Sequence, residues 1–179
     1  ETIYDECKNL CVWAKTNGGM GSLYRSQHEL VFVFKSGTAP HINNVRLGQY
    51  GRYRTNVWNY AGVNSFGANR GDLELHPTVK PVALVADAIR DCSHRQGIVL
   101  DAFVGSGTTL VAAEKTGRIA CGIEIDSHYC DVILHRMRDL CGLEAVLEAT
   151  GQAFTEVAGD RADQDALESP RPLAEACTA

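Results

Sequence analysis

Three residues carry the chemistry that is plainest in this sequence. Gly105 and Gly107 lie in "VLDAFVGSGTTL", between an apolar run and a helix-like one, and Glu124 closes the next apolar run in "IACGIEID". A Gly-x-Gly turn at the start of a helix lets ligand atoms approach the backbone where free N–H groups point outward. An acid about twenty residues further on, past the second strand of the same unit, can accept both hydroxyls of a ribose. The spacing therefore predicts a nucleoside pocket at the carboxyl ends of two parallel strands.

The kind of nucleoside follows from what the turn lacks. A dinucleotide fingerprint needs glycine at position 110, where this chain has Leu110, and a triphosphate-binding loop needs Gly-Lys-Ser/Thr, whereas Thr108 follows Gly107 directly. A nucleoside without pyrophosphate remains, and S-adenosylmethionine meets that description. It offers a ribose to Glu124, an adenine to lie against Ile125, and an amino-acid end near Asp101 and the glycine turn.

The elements that must position these residues are legible on either side. "GIVLDAF" reads as a strand, "TTLVAAEKT" as a helix closed by Gly117, and "IACGIEI" as a second strand, which together make a right-handed βαβ crossover. Upstream, "HPTVKPVALVADAIRDC" reads as a helix opening at Pro81, with Leu84, Val85, Ala88, Ile89 and Cys92 on one face. Downstream, Ser127 is the expected cap of a helix striped by Tyr129, Val132, Ile133, Met137 and Leu140. Leu10–Lys15 and Leu30–Lys35 have the Val, Phe and Trp content of buried strands, joined by the glycine-rich loop "TNGGMGSLYRS". Residues 38–75 show no period and read as an irregular insertion, and 159–179 are acidic, small and Pro-containing, the composition of a disordered tail.

Composition narrows the class. The chain has 179 residues, 45% hydrophobic residues and a net charge of −5, which suits one globular domain. No apolar run reaches the roughly 18 to 20 residues of a membrane span. The seven cysteines are scattered, and Cys7 and Cys11, a lone C-x3-C, read as buried thiols rather than ligands, so no metal is expected and a reduced cytoplasm fits.

"HPTVKP", "LDAFVGSGTT" and "GIEID", in this order, resemble the S-adenosylmethionine-dependent DNA amino-methyltransferases, in the permuted β-class order that places the cofactor half after target recognition. The resemblance covers roughly residues 1–155 and implies an α/β, Rossmann-like doubly wound sheet with an irregular target-recognition insertion at 38–75 and a cofactor-binding half at 76–158. It makes His76, Thr78, Lys80, Asp101, Phe103, Gly105, Gly107, Thr108, Glu124 and Ile125 cofactor contacts. It implies transfer of the sulfonium methyl to the exocyclic amine of adenine, or cytosine, in double-stranded DNA, as in restriction-modification systems. The family's catalytic signature, an acidic or polar residue before Pro-Pro-aromatic, has no counterpart, since the sequence contains no Pro-Pro. In this order it lies upstream of Glu1, so the resemblance implies an active site completed by an upstream domain or a homodimer partner; the alternative is a non-catalytic cofactor- or DNA-binding module.

DNA contact is expected from the insertion. Between Thr38 and Gly71 stand Arg46, Arg52, Arg54 and Arg70 without one acidic residue, interleaved with Tyr50, Tyr53, Trp58 and Tyr60. Such a mixture suits phosphate contact and base-edge readout. Arg25, with Asn17 and Tyr24 on the glycine-rich loop, is the remaining candidate near the target base.

Overall fold

The computed structural model describes residues 4–62 and 79–168. Strand β1 (Glu6–Ala14) is the centre of a three-stranded sheet, antiparallel to β2 (His28–Lys35) on one side and parallel to the short β3 (Val57–Asn59) on the other. A second sheet pairs β4 (Ile98–Asp101) in parallel with β5 (Ile119–Gly122), Ile98 opposite Ile119 and Asp101 opposite Gly122. The crossover between β4 and β5 is helix α2 (Thr108–Thr116). Helix α1 (Val82–Cys92) precedes β4, α3 (Ser127–Cys141) follows β5, and α4 (Phe154–Glu168) comes last. The expected α/β class and the βαβ unit are both present. No described residue pairs with the outer edge of β2 or of β4.

Alternation along the strands sorts two faces. Cys11 and Trp13 of β1, Val31 and Val33 of β2, and Trp58 of β3 pack beneath Leu84, Val85 and Ala88 of α1. Val99 of β4 and Ala120 of β5 pack beneath Ala86 and Ile89 of the same helix and Ala112 and Ala113 of α2. α1 thus lies across both sheets, and the pattern of its sequence explains how: its apolar residues spread wide enough to face each. The opposite strand face is bare. Leu10, Leu30, Phe32, Phe34, Ile98, Leu100 and Ile119 are all exposed there, and Tyr4 stacks on Phe34 at 4.9 Å between ring centroids.

Gly122 answers the missing third glycine. In a dinucleotide fold that residue lets the helix approach the strand. Here Leu110 fills its position on α2, and the glycine stands opposite, on β5: a Cβ at Gly122 would meet Leu110 at 3.0 Å and Val104 at 2.5 Å.

Five local expectations are corrected. Asp126, not Ser127, caps α3, its carboxylate accepting the His128 N–H at 2.9 Å. The stripe on α3 buries Val132, Ile133 and Arg136, while Leu140 is exposed. The insertion holds a 3-10 turn at Arg46–Gly48 as well as β3, which its composition hides. The tail expected from residue 159 is helical as far as Glu168, because its first-turn N–H groups are satisfied by side chains: Ala153 donates to Glu156 at 3.0 Å and Thr155 to Glu144 at 3.0 Å. Cys11 is buried as expected, but Cys7 is exposed. Among the described residues no helix is long and apolar enough to cross a membrane, and no cluster of His, Cys, Asp and Glu is arranged to hold a metal ion.

Candidate cofactor site

The carboxyl ends of β4 and β5 open into a cleft of about 650 Å³, lined by Lys80, Asp101, Phe103, Gly105, Thr108, Glu124 and Ile125 among others. Residues far apart in sequence are joined here by direct bonds. Glu124 accepts the Gly105 N–H at 2.7 Å with one carboxylate oxygen, and the Ile125 and Asp126 N–H groups at 2.9 and 3.0 Å with the other. The acid therefore ties the chain beyond β5 to the glycine turn beyond β4.

The turn is built for close approach. Gly105 and Gly107 have φ of 56° and 84°, in the left-handed region where a side chain is strained. A Cβ at Gly107 would also press on Ile133 of α3 at 3.1 Å. Asp101 fixes the near wall, one oxygen accepting the Phe103 N–H at 3.0 Å and the other the Thr109 hydroxyl at 2.6 Å. Thr108 is buried, donating to the Lys80 carbonyl at 3.3 Å. Two apolar side chains project into the solvent over the cleft, Phe103 at 92% exposure and Ile125 at 98%. Large apolar groups so exposed beside a polar turn are available to pack against an apolar ring of a ligand.

Sequence reasoning missed Arg136. This buried residue of α3 donates to the Ser106 carbonyl, to Ser106 Oγ at 3.1 Å and to Thr108 Oγ1 at 3.4 Å. It holds the middle of the turn from below. The signal available was an arginine inside an apolar helical stripe, a position where a charge needs partners.

The expected DNA-facing residues divide. Arg25 donates to the carbonyls of Gly19 at 2.9 Å and Gly18 at 2.8 Å and so shapes the glycine-rich loop, on which Tyr24 is exposed. Arg52 and Arg54 turn inward, meeting Asp91 at 2.6 and 2.9 Å and Asp87 at 3.4 and 3.6 Å. Tyr60 completes this lattice, receiving a hydrogen bond from Arg54 and donating to Asp87. Burial alone would push the Asp87 carboxyl up, but the Tyr60 hydrogen bond and the charges of Arg54, Arg90 and Arg52 outweigh it and hold it below its ordinary value. Trp58 is 8% exposed, in the core, with Arg54 stacked at 5.1 Å. The physical reason is the pair Asp87 and Asp91, one helical turn apart on α1, which draws the arginines to the fold. Arg46 remains exposed. His76, Thr78 and Arg70 lie outside the described residues.

A βαβ unit whose glycine turn and post-strand acid share one cleft fits an α/β domain of the methyltransferase type. Residues 5–135 match the model of the N6/N4 DNA methylase family, and the chain belongs to that family. It is 42% identical over 95 residues to the type II methyltransferase M.ScaI of Streptomyces caespitosus, covering 52% of this chain and 31% of that protein. It is 42% identical over 82 residues to the DNA adenine methyltransferase YhdJ of Escherichia coli K12, covering 46% of this chain and 27% of the relative. A crystal structure of an M1.HpyAVI–SAM complex superposes with a TM-score of 0.58 at 26% identity, covering 73% of this chain and 62% of that one. The chain thus spans about a third of the length of the curated relatives it matches.

Proposed function

We propose that the cleft binds S-adenosylmethionine and that this chain forms the cofactor-binding part of a DNA methyltransferase acting on the exocyclic amine of adenine. The observation that carries the reading is the bond from Gly105 to Glu124, which brings the turn and the acid expected for a ribose into one cleft beside two exposed apolar side chains. The residues present fit the cofactor: Glu124 would hold the ribose, Ile125 and Phe103 the adenine, and Asp101 with the turn the amino-acid end. When bound, S-adenosylmethionine supplies a methyl on a sulfonium, a good leaving group. The protein's part is to bind and orient it, with Arg136 and Asp101 keeping the turn rigid, since positioning supplies much of such a barrier reduction. Likeness to an enzyme named as adenine-directed favours adenine over cytosine. Duplex DNA is the proposed substrate, with Tyr24 on the glycine-rich loop near the target base and Arg25 as the residue that shapes that loop.

Calorimetric titration of the whole chain with S-adenosylmethionine and, separately, with NADH tests the cofactor. Micromolar affinity for the first and none for the second is expected; a folded chain that prefers NADH overturns the reading. The second reading is a non-catalytic cofactor- or DNA-binding module. Both readings predict cofactor binding. Only the first predicts methyl transfer to DNA when the chain is joined to a segment carrying an acid-Pro-Pro-aromatic motif.

A further inference from the structure

A second concavity, of about 730 Å³, lies away from the cofactor cleft. Its wall includes Arg46 from the insertion, Arg90 and Arg95 from the end of α1 and beyond, Lys115 from the last turn of α2, and Arg118 just before β5; no carboxylate lines it. Its place in the fold is set by β4 and β5. Arg95 and Arg118 precede these strands, whereas Asp101 and Gly122 at their far ends lead into the cofactor cleft. Four residues of strand, at a rise of about 3.3 Å each, put the two sites at opposite ends of the sheet.

Two helix C-termini converge here and account for part of the charge. Arg118 donates to the Ser93 carbonyl at 2.7 Å and to that of Thr116, the ends of α1 and α2. Arg52 and Arg90 are paired with Asp87 and Asp91. Among the described residues none of the other cations here has a carboxylate partner. Arg46, Arg95, Lys115 and Arg118 form no ion pair among the described residues. Arg95 lies over Gly117, where a Cβ would meet its guanidinium at 2.8 Å. Burial and then the facing charges of Arg95, Arg90 and Arg52 hold the Arg118 guanidinium below its ordinary pKa. In a chain of net charge −5, cations have been gathered against their mutual repulsion.

We propose that this concavity binds phosphoryl oxyanions, and that they come from the backbone of a nucleic-acid duplex lying outside the target-base site. The charges are spread over three separate segments, which suits a string of phosphates better than one ion. Arginine and lysine so placed contact backbone without reading sequence. The proposal is independent of the cofactor reading, because the two sites share no described lining residue.

The test uses the whole chain and a double variant, Arg95→Gln with Lys115→Gln, at two exposed positions. Fluorescence anisotropy follows a labelled duplex of about 20 base pairs across a salt series, and calorimetry follows inorganic pyrophosphate. The expected result is a plot of log K against log salt whose slope is shallower by about 2 in the variant, about 0.9 for each phosphate that is no longer neutralised. S-adenosylmethionine affinity is expected to be unchanged, which separates this test from that of the cofactor cleft. If the variant loses pyrophosphate binding and keeps the duplex slope, the site stands and the backbone assignment falls. If neither changes, the proposal is overturned. Should the double variant melt early, Arg46→Gln, outside the α-helices, is expected to lower the slope by about 1, and an unchanged slope there overturns it equally.

Discussion

Replacing Glu124 by glutamine separates the two things this carboxylate does. In the structure one oxygen takes the Gly105 N–H at 2.7 Å and the other takes two N–H groups, from Ile125 and Asp126. An amide keeps one acceptor and turns a donor toward the other side, so either Gly105 or the Ile125–Asp126 pair faces an N–H group. The smaller loss is the single bond to Gly105. A hydrogen bond to a charged group contributes about 1.5 to 3 kcal/mol, and partial solvent access lowers this to about 1 to 2 kcal/mol. For a chain of this size that is a fall in melting temperature of about 4 °C. Weakened hydrogen bonding to a ribose is expected to reduce S-adenosylmethionine affinity about tenfold or more, or ~1.4 kcal/mol. Thermal melting without ligand and calorimetry with it read the two effects apart. A variant that melts lower yet binds the cofactor as tightly as the parent would show that Glu124 only ties the turn. One that changes in neither respect would refute both halves of the reasoning.

Four further outcomes are expected. Gly122→Ala places a methyl group against Val104 and Leu110 and is expected to destabilise the fold by about 1 to 3 kcal/mol, measured by urea denaturation; full stability would mean that β5 yields freely. Arg136→Met keeps the aliphatic stem and leaves the Ser106 carbonyl without its cation, a destabilisation of about 2 kcal/mol with weaker cofactor binding, checked by denaturation and calorimetry. Asp91→Asn removes the charge that meets Arg52 and Arg54 and is expected to cost about 2 kcal/mol at neutral pH. The depressed pKa of Asp87 makes this lattice stabilising above the ordinary carboxyl range near pH 4, with its contribution lost as the pH falls further, and a denaturation series from pH 6 to pH 2 follows it.

The βαβ unit was legible because its signals are local: an apolar run, two glycines, a helix with its glycine stop, and a second run. Glu124 and Asp101 could be placed because strand ends fix where their side chains emerge. The lattice around Arg52 and Arg54 was not legible, since arginines among tyrosines look alike whether they face DNA or a helix. What decides is Asp87 and Asp91, which lie in a different part of the chain, between the apolar positions of a helix. Arg136 was hidden by the apolar stripe around it. β3 is three residues long, too short for any period to show. Residues 159–168 have a composition that suits disorder, and the helix they continue is anchored at its start, where the N–H groups of Ala153 and Thr155 donate to Glu156 and Glu144.

The way α1 lies across both sheets has a consequence for how the fold yields. The two sheets share no ladder among the described residues, so between them the coupling runs through side chains on one helix, Leu84 and Ala88 on one side, Ala86, Ile89 and Val82 on the other, with Val85 touching both. Backbone pairing is stiff and side-chain packing is compliant, so each sheet is able to open as its own unit while α1 stays docked on the other. In native-state hydrogen exchange the amides of β1 and β2 would then follow one opening free energy and those of β4 and β5 another. A ligand seated on the glycine turn would protect the second set first, and the hairpin would register its arrival only as far as the side chains of one helix transmit it.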